Sequence, residues 1–222
     1  MKSLVKIVFV LFLFFTALLI LFNATGLMSV EKIETWMKVA QEASPVYVAF
    51  IVSLLLFVDL FIAVPSLTVM ILAGFFLGPV IGSVSAITGI VLAGVCGYLF
   101  SRRYGAGLLA VLITDPKERE DAIGTFRKHG PLIIIVSRAA PVLPEISACL
   151  AGLSGMNFLK FLCFWLLSSI PYVAIACYAG SVSSVQNPFP AILAAIGLTA
   201  FFFLAAALFK RSKNVSKLSI GA

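Results

Sequence analysis

Residues 137 to 152 read SRAAPVLPEISACLAG and place two charged residues and two prolines inside an otherwise apolar segment. The charges are Arg138 and Glu145, and the prolines are Pro141 and Pro144. Proline breaks a helix because it lacks a backbone N–H and its ring clashes with the preceding turn. Within a membrane, broken backbone is tolerated only where it is buried in protein or lines a wet cavity. If the segment lies in a membrane, it therefore marks an interior site.

The composition is that of a membrane protein. Hydrophobic residues make up 62% of the 222 residues and charged residues only 11%. A soluble domain of this length could not bury so much apolar surface, so we expect a polytopic membrane protein with a single domain. The formal net charge is +7, but the basic residues flank the apolar runs. They therefore indicate membrane orientation, and we expect no binding to nucleic acid.

The cysteines and the single histidine do not predict a metal site. Cys96, Cys149, Cys163 and Cys177 lie inside apolar runs without C-x-x-C spacing, which excludes the usual zinc and disulfide patterns. The only histidine, His129, is expected to be structural. The apolar segments also lack Ser-His-Asp and H-E-x-x-H constellations. We therefore expect no metal, no cofactor and no enzymatic activity.

The two ends of the chain have distinct patterns. Residues 1–28 predict an N-terminal transmembrane helix, because the apolar run is long for a signal peptide and lacks a good cleavage site. Residues 29–44 predict an amphipathic helix lying in the interface, although an exposed connector fits them nearly as well. Residues 190–209 predict a last transmembrane helix, followed by a basic cytoplasmic tail over residues 210–222.

The basic residues decide the topology between these ends. Six of the 16 lysines and arginines lie in the loop after the third apolar run, and four lie in the tail. The positive-inside rule places both groups in the cytoplasm, together with Lys2 and Lys6. Single crossings by residues 45–78 and 131–156 would leave one group outside, whereas two hairpins that re-enter the membrane keep both inside.

The predicted fold is therefore an all-α polytopic membrane protein with four transmembrane helices plus two inverted re-entrant helical hairpins. The hairpins are at 45–78 and 131–156 and belong to a core over residues 45–182. The four full spans are residues 1–28, 80–101, 157–180 and 190–209. Both termini are then cytoplasmic.

The two hairpins resemble each other in sequence. One contains DLFIAVPSLTVMILAG, beginning at Asp59, and the other RAAPVLPEISACLAG, beginning at Arg138. In each, a charged residue stands six positions before a proline, Pro65 or Pro144, and an Ala-Gly pair follows. The second copy is one residue shorter, and chance similarity of two short apolar segments is the alternative. An inverted repeat of this kind is how transporters build a midplane site from discontinuous helices.

Small residues predict close helix packing. Glycines or alanines that recur every four residues, and the glycine of the second Ala-Gly pair, allow helices to approach closely; these packing glycines are Gly74, Gly78, Gly82, Gly89, Gly97 and Gly152. In the cytoplasmic loop, residues 115–130 predict a short helix with Pro116 at its first position and Gly130 beyond its end. Ile123 and Phe126 of that helix are expected at the membrane interface.

These motifs together resemble the DedA or VTT-domain family, also called SNARE-associated membrane proteins. The resemblance covers roughly residues 45–182. It rests on five features in this order: PSLTVMILAGFFLGPVIG from Pro65, SRRYG at 101–105, R-x-x-P-x-x-P-E from Arg138, AGLSGM from Ala151, and a late Pro171 ahead of Tyr178 and Gly180.

The resemblance implies a helical membrane domain with two facing re-entrant hairpins that moves lipids between leaflets. It implies undecaprenyl phosphate or phosphatidylethanolamine as lipid partners, protons as a coupling partner, and the bacterial plasma (inner) membrane as location; a homo-oligomer is compatible with it. The acidic position of the family's first hairpin falls on Asp59, and the arginine of its second on Arg138. Ser66, Leu67 and Thr68 stand where some branches have glycine and a carboxylate, which leaves the substrate open.

The charged residues themselves indicate a site. A charge at the bilayer centre costs about 2.5 to 3.5 kcal/mol even on lenient insertion scales, so Asp59, Arg138 and Glu145 require a reason to lie there. Arginine keeps its charge and offers a planar fork suited to phosphate. Asp59 or Glu145 can exchange between binding Arg138 and carrying a proton. A permanent salt bridge that locks the hairpins together is the alternative.

We therefore expect a lipid translocase of the flippase or scramblase type, with Asp59, Arg138, Glu145 and the prolines Pro65, Pro141 and Pro144 around its site. A small-ion or solute transporter is one alternative. A membrane-assembly or homeostasis factor that transports nothing is the other.

The predicted topology can be tested by labelling single cysteines in a variant that lacks the four native ones. Arg103→Cys, Glu120→Cys and Lys213→Cys are expected to react with an impermeant thiol reagent from the cytoplasmic side. Thr35→Cys and Gln186→Cys are expected to react from the opposite side. If positions 120 and 213 label from different faces, the paired re-entrant hairpins are wrong.

Overall fold

In a computed structural model of the chain, the described residues form six α-helices and one short 3₁₀ turn, with no strand among them. The described residues are 35, 39, 44–62, 64–112, 116–139, 143–184, 187 and 189–218. The elements are α1 (Pro45–Val58), α2 (Ser66–Leu112), α3 (Pro116–Val136), the 3₁₀ turn Ser137–Ala139, α4 (Leu143–Leu153), α5 (Phe158–Ser181) and α6 (Phe189–Leu218). The predicted all-helical class is confirmed for these residues. The predicted helix over 1–28, nearly all of 29–44, and Pro141 lie outside them.

α2 is two helices joined by a sharp turn at Gly78. Gly78 has φ 76° and ψ 174°, a left-handed conformation that glycine adopts without a steric penalty. Pro79 follows and begins the second helical segment, where its missing N–H is tolerated. A Cβ added at Gly82 would lie 2.7 Å from the Ala73 carbonyl oxygen, so residues 66–77 fold back along residues 79–112. Gly78, predicted as a packing residue, would meet nothing within 4 Å and instead makes the turn.

The same order of elements occurs twice along the chain. In the first half, α1 is followed by a break, the short helix 66–77, the left-handed Gly78 and a long helix. In the second half, α3 and its 3₁₀ turn are followed by a break, the short helix α4, Gly155 with φ 67°, and the long helix α5. The internal repeat inferred from the two charged proline segments thus has a counterpart in the backbone.

The short helix of each half packs closely against the long helix of the other half. A Cβ at Gly74 would overlap the backbone of Cys177 in α5, and a Cβ at Gly152 in α4 would overlap the carbonyl of Tyr98 in α2. The Cys177 thiol also donates to the Met70 carbonyl over 3.2 Å. These backbone contacts require glycine, because any side chain would push the two helices apart. The halves are therefore interlocked and not simply adjacent.

α1 lies along the second segment of α2. A Cβ at Gly89 would lie 2.5 Å from the Ser53 carbonyl oxygen, and one at Gly97 would lie 3.1 Å from the Leu60 side chain. The Ser53 hydroxyl donates to the Ser85 carbonyl over 2.9 Å. The contacts of Gly89 with Ser53 and of Gly97 with Leu60 show residue numbers rising together along the two segments. α1 and residues 79–112 therefore run in the same direction. α1 and residues 66–77 consequently run in opposite directions.

Side chains from α2 and α3 hold the turn between α4 and α5. Arg127 Nε donates to the Ser154 carbonyl over 2.9 Å, and the Tyr98 hydroxyl donates to the Met156 carbonyl. Arg102 donates to the Tyr98 hydroxyl. These donors satisfy carbonyls of the turn, which lie outside both helices.

α3 differs from its prediction. It begins at Pro116 as expected, but it continues past Gly130 and Pro131 to Val136. A Cβ at Gly130 would lie 2.9 Å from the Phe126 ring, and Phe126 is only 1% exposed. Phe126 therefore packs in the protein core and not at the membrane interface. This packing offsets the one hydrogen bond that an interior proline removes. Similarly, α6 continues to Leu218, through most of the predicted tail.

The exposed surface of the helices suits a membrane. Ser66–Gly105, which includes the turn at Gly78, and Phe158–Ser181 are the described helices long and apolar enough to span one. Many large apolar side chains are more than half exposed, which an aqueous surface disfavours in such number; they include Tyr47, Phe50, Val84, Phe100, Leu167 and Phe201. The predicted membrane character is therefore supported.

The interlocked glycines predict an effect on stability. Gly74→Ala and Gly152→Ala are each expected to lower the free energy of unfolding by about 1 to 3 kcal/mol or more, because the added methyl overlaps a backbone carbonyl. Gly124→Ala is the matched control, since a Cβ there meets nothing within 4 Å. It is expected to stabilise α3 by about 0.5 to 1 kcal/mol. Thermal unfolding in detergent measures all three, and equal melting temperatures for Gly74→Ala and Gly124→Ala would contradict the interlock.

Candidate functional site

Asp59 organises the first break. α1 ends at Val58, and one carboxylate oxygen of Asp59 accepts a hydrogen bond from the Val64 N–H over 2.7 Å. This bond joins Asp59, directly after α1, to Val64, two residues before the next helix, and satisfies a backbone donor that no helix pairs. Pro65 follows, and the short helix begins at Ser66. The carboxylate that the sequence predicts as a site residue therefore also shapes the loop that carries it.

Arg138 occupies the 3₁₀ turn of the second break, against the side of α5. Its Nη2 donates to the Ser169 hydroxyl oxygen over 2.5 Å. Its Cζ lies 5.0 Å from the centre of the Trp165 ring and 5.8 Å from that of Tyr172. Both distances are within the range of cation–π attraction, which is strongest where water is excluded. Arg138 is thus held by one polar and two aromatic side chains of a single helix.

Glu145 lies in the first turn of α4, close to Arg138 but not bonded to it. Its Oε2 is buried without a hydrogen-bond partner, and so is the Nε of Arg138. Buried donors and acceptors are nearly always paired in native proteins, because leaving one unpaired costs its full desolvation energy. A donor and an acceptor without partners in the same region are therefore an unusual feature of this interior.

The three charged side chains lie within electrostatic reach of one another. Asp59 interacts with both Glu145 and Arg138, and Arg138 interacts with both carboxylates. Among the described residues, however, no ion pair joins Arg138 to either carboxylate. The sequence predicts that Arg138 meets Asp59. In the structure the two side chains interact electrostatically, but no direct salt bridge joins them. The two breaks meet around a site with one more carboxylate than its single arginine can neutralise.

The VTT domain matches residues 64–182, from the first break to the end of α5 and more than half of the chain. The chain belongs to the VTT-domain family. The resemblance to DedA and SNARE-associated proteins found in the sequence motifs is thereby confirmed. No curated protein and no solved structure matches the chain. Membership in the VTT-domain family indicates a membrane protein with a role in transport or membrane homeostasis.

Most of the site lies inside the VTT domain, with additions from both sides. Asp59 precedes the matched residues, and α6 follows them. α6 packs on the 3₁₀ turn that carries Arg138. Among its side chains whose burial is described, Leu198 and Phe202 are buried, and the Phe202 ring lies 5.7 Å from that of Tyr172 in an edge-to-face arrangement. The last helix therefore covers the arginine from the side.

Two prolines of the predicted site, Pro65 and Pro144, lie where the short helices start. Pro65 immediately precedes residues 66–77, and the buried Pro144 is the second residue of α4. Proline is tolerated in the first helical turn, because N–H groups there have no helical partner. The positive ends of both short helices consequently lie at the breaks, where they favour a negatively charged group. Pro141 lies outside the described residues.

Sequence reasoning did not find the α5 residues of the site. Trp165, Ser169 and Tyr172 are spaced so that they share one face of a helix, which is a detectable signal. Such a face is more commonly part of an apolar core, and nothing in the sequence connects it to Arg138. Only the packing of α5 against the second break identifies it.

Removing the arginine is expected to destabilise the protein. Arg138→Ala should lower the free energy of unfolding by about 3 to 5 kcal/mol, because it leaves two buried carboxylates without a nearby cation. Adding Glu145→Gln to Arg138→Ala should recover part of the loss, since it removes one of the two charges. Chemical or thermal unfolding in detergent at neutral pH measures both. Unchanged stability in Arg138→Ala would show that the carboxylates do not depend on the arginine.

Proposed function

We propose that this VTT-domain protein is a lipid translocase that moves a phosphate-bearing lipid between the leaflets of the membrane, coupled to protons. The observation that carries the proposal is that the Nε of Arg138 and the Oε2 of Glu145 are both buried without a hydrogen-bond partner. A ligand that enters the site can supply the missing partner of Arg138. Phosphate suits it because its oxygens accept two parallel hydrogen bonds from a guanidinium.

The donors that remain on Arg138 support binding of an oxyanion. A guanidinium has five N–H donors, and Ser169 accepts from only one of its nitrogens, Nη2. Arginine is weakly hydrated and stays charged, so it loses less than lysine would on leaving water. The starts of the two short helices add positive potential around the same point. Together these groups favour an anion with several oxygens.

The excess carboxylate supports proton coupling. If a phosphate joins Asp59 and Glu145 around one arginine, three anionic groups repel one another in a region of low dielectric. Uptake of a proton by Asp59 or Glu145 removes that repulsion. Binding of the lipid and binding of a proton are therefore linked. A permanent salt bridge between the hairpins would not require such a link. The lack of an ion pair between Arg138 and either carboxylate also favours exchange over a lock.

The proposed mechanism uses the topology predicted from the charges. The hairpins 45–78 and 131–156 enter from opposite faces, and their breaks meet near the middle of the bilayer. The reversal at Gly78 and the antiparallel course of α1 and residues 66–77 are what such a hairpin requires. In this arrangement both termini are cytoplasmic and the protein lies in a bacterial plasma membrane.

The lipid partners proposed are undecaprenyl phosphate and phosphatidylethanolamine, each of which carries a phosphate. The chemistry of the site does not require a covalent step, so the proposal is transport without enzymatic turnover. A small-ion or solute transporter is the competing function, because the charged interior would also suit a hydrated ion.

Reconstitution tests the proposal. Vesicles that contain only this protein are loaded with labelled lipids of different head groups, and the transfer of label between leaflets is measured from pH 5 to 8. Wild-type protein is expected to transfer phosphate-bearing lipids. Arg138→Lys keeps the charge without the fork and is expected to lower the rate at least tenfold with folding intact. Asp59→Asn is expected to remove the pH dependence of the rate.

Two results would contradict the proposal. Wild-type transfer rates in Arg138→Lys and Asp59→Asn would remove these residues from the mechanism. A proton-driven uptake of small solutes by the same vesicles, without any lipid transfer, would instead favour the solute transporter.

A further inference from the structure

Three side chains on one face of α5 contact the guanidinium of Arg138. Trp165, Ser169 and Tyr172 are spaced by four and three residues, so they lie above one another along the helix. Each contacts Arg138, through a hydroxyl in the case of Ser169 and through the ring in the other two. No such set is present on the elements that carry Asp59 or Glu145 among the described contacts. α5 is therefore specialised toward the arginine.

The Ser169 hydroxyl is oriented as an acceptor. It donates its own proton to the Trp165 carbonyl over 2.6 Å, so its lone pairs are left for Nη2 of Arg138. Ser169 is fully buried, which excludes water as a competing donor. The direction of its hydrogen bonds is thus set by the helix backbone, and the position of Nη2 follows from it.

The Trp165 ring is held in place by contacts with the second segment of α2. Its indole N–H donates to the Ile90 carbonyl over 3.2 Å, and the side chain is only 3% exposed. Gly94 lies directly under the indole, where any Cβ would overlap it. The second segment of α2 therefore fixes the ring against which Arg138 lies. Tyr172 is supported in turn by the Phe202 ring of α6.

We propose that Trp165, Ser169 and Tyr172 are positioning residues, which hold the Arg138 guanidinium so that its Nε edge faces the phosphate of the lipid. This inference rests on the proposed function. The described hydrogen bond and ring contacts of the guanidinium all come from these three side chains, and its buried Nε is left without a hydrogen-bond partner. A free arginine side chain would have to be ordered at each binding event. Holding it in place beforehand raises affinity by avoiding that cost.

Ser168 offers a matched control for Ser169. Both serines are buried neighbours on α5, and both donate to the Trp165 carbonyl, over 3.0 Å for Ser168 and 2.6 Å for Ser169. Only Ser169 has a described bond to Arg138. Ser168→Ala and Ser169→Ala therefore remove the same bond to the backbone, and they differ in the loss of the arginine contact.

The positions of the tryptophans provide a direct readout. The chain has two, Trp36 and Trp165, so in a Trp36→Phe background the fluorescence reports on Trp165 alone. The full-length protein in detergent is titrated with dihexanoyl phosphatidic acid as a soluble phosphate-bearing lipid. Ser169→Ala is expected to weaken its binding about tenfold, the effect of losing one hydrogen bond to a charged group. Ser168→Ala should bind like the parent, with a similar melting temperature to Ser169→Ala.

The same spectra test the positioning without any ligand. Because the guanidinium is close to the indole, Ser169→Ala is expected to change the emission maximum of Trp165 in the unliganded protein, and Ser168→Ala is expected to leave it unchanged. Tyr172→Leu removes the ring beside the guanidinium and should weaken binding of the probe about fivefold.

The outcomes separate this inference from the proposed function. Identical emission and identical affinity in Ser168→Ala and Ser169→Ala would overturn the positioning role. If the parent protein neither binds the probe nor transfers lipids, the proposed function fails. In that case a change of emission confined to Ser169→Ala still supports a positioned arginine, and an unchanged emission overturns it.

Discussion

The burial of one guanidinium in an apolar interior is the constraint on which this structure depends. Arg138 cannot lose its charge, so the surrounding side chains must compensate for the water it has left. Ser169, Trp165 and Tyr172 provide a hydrogen bond and two ring faces, and Asp59 and Glu145 provide opposite charge nearby. The compensation is incomplete, because Nε has no partner. A site that is stable yet unsatisfied can gain from a ligand.

The scaffold brings this site together by exchanging contacts between two similar halves. Each short helix leans on the long helix of the other half, and a glycine at each contact lets the backbones touch. A side chain at either contact would push the two helices apart and so disturb the position of the breaks. The breaks also place the starts of both short helices at the charges, so the same architecture supplies positive potential for an anion.

α6 gives the site a boundary outside the VTT domain. It covers the 3₁₀ turn of Arg138 through a narrow stripe that includes Leu198 and Phe202, while most of its other described apolar side chains face outward. A lipid that reaches Arg138 from the membrane would pass this helix or the opposite side of the bundle. The contact between Phe202 and Tyr172 couples that boundary to the arginine itself.

The sequence by itself determined the helical membrane class, the two broken segments and the charged residues in them, because run length, proline position and isolated charges are local properties. It did not predict that Gly78 is a turn and that α3 continues through Gly130, since both depend on what surrounds the residue. The tertiary structure alone decided that Arg138 contacts Ser169 and two rings without pairing to Asp59. The physical reason is that the depth and rotation of α5 against the second break arise from helix packing, and no short-range pattern in the chain records them.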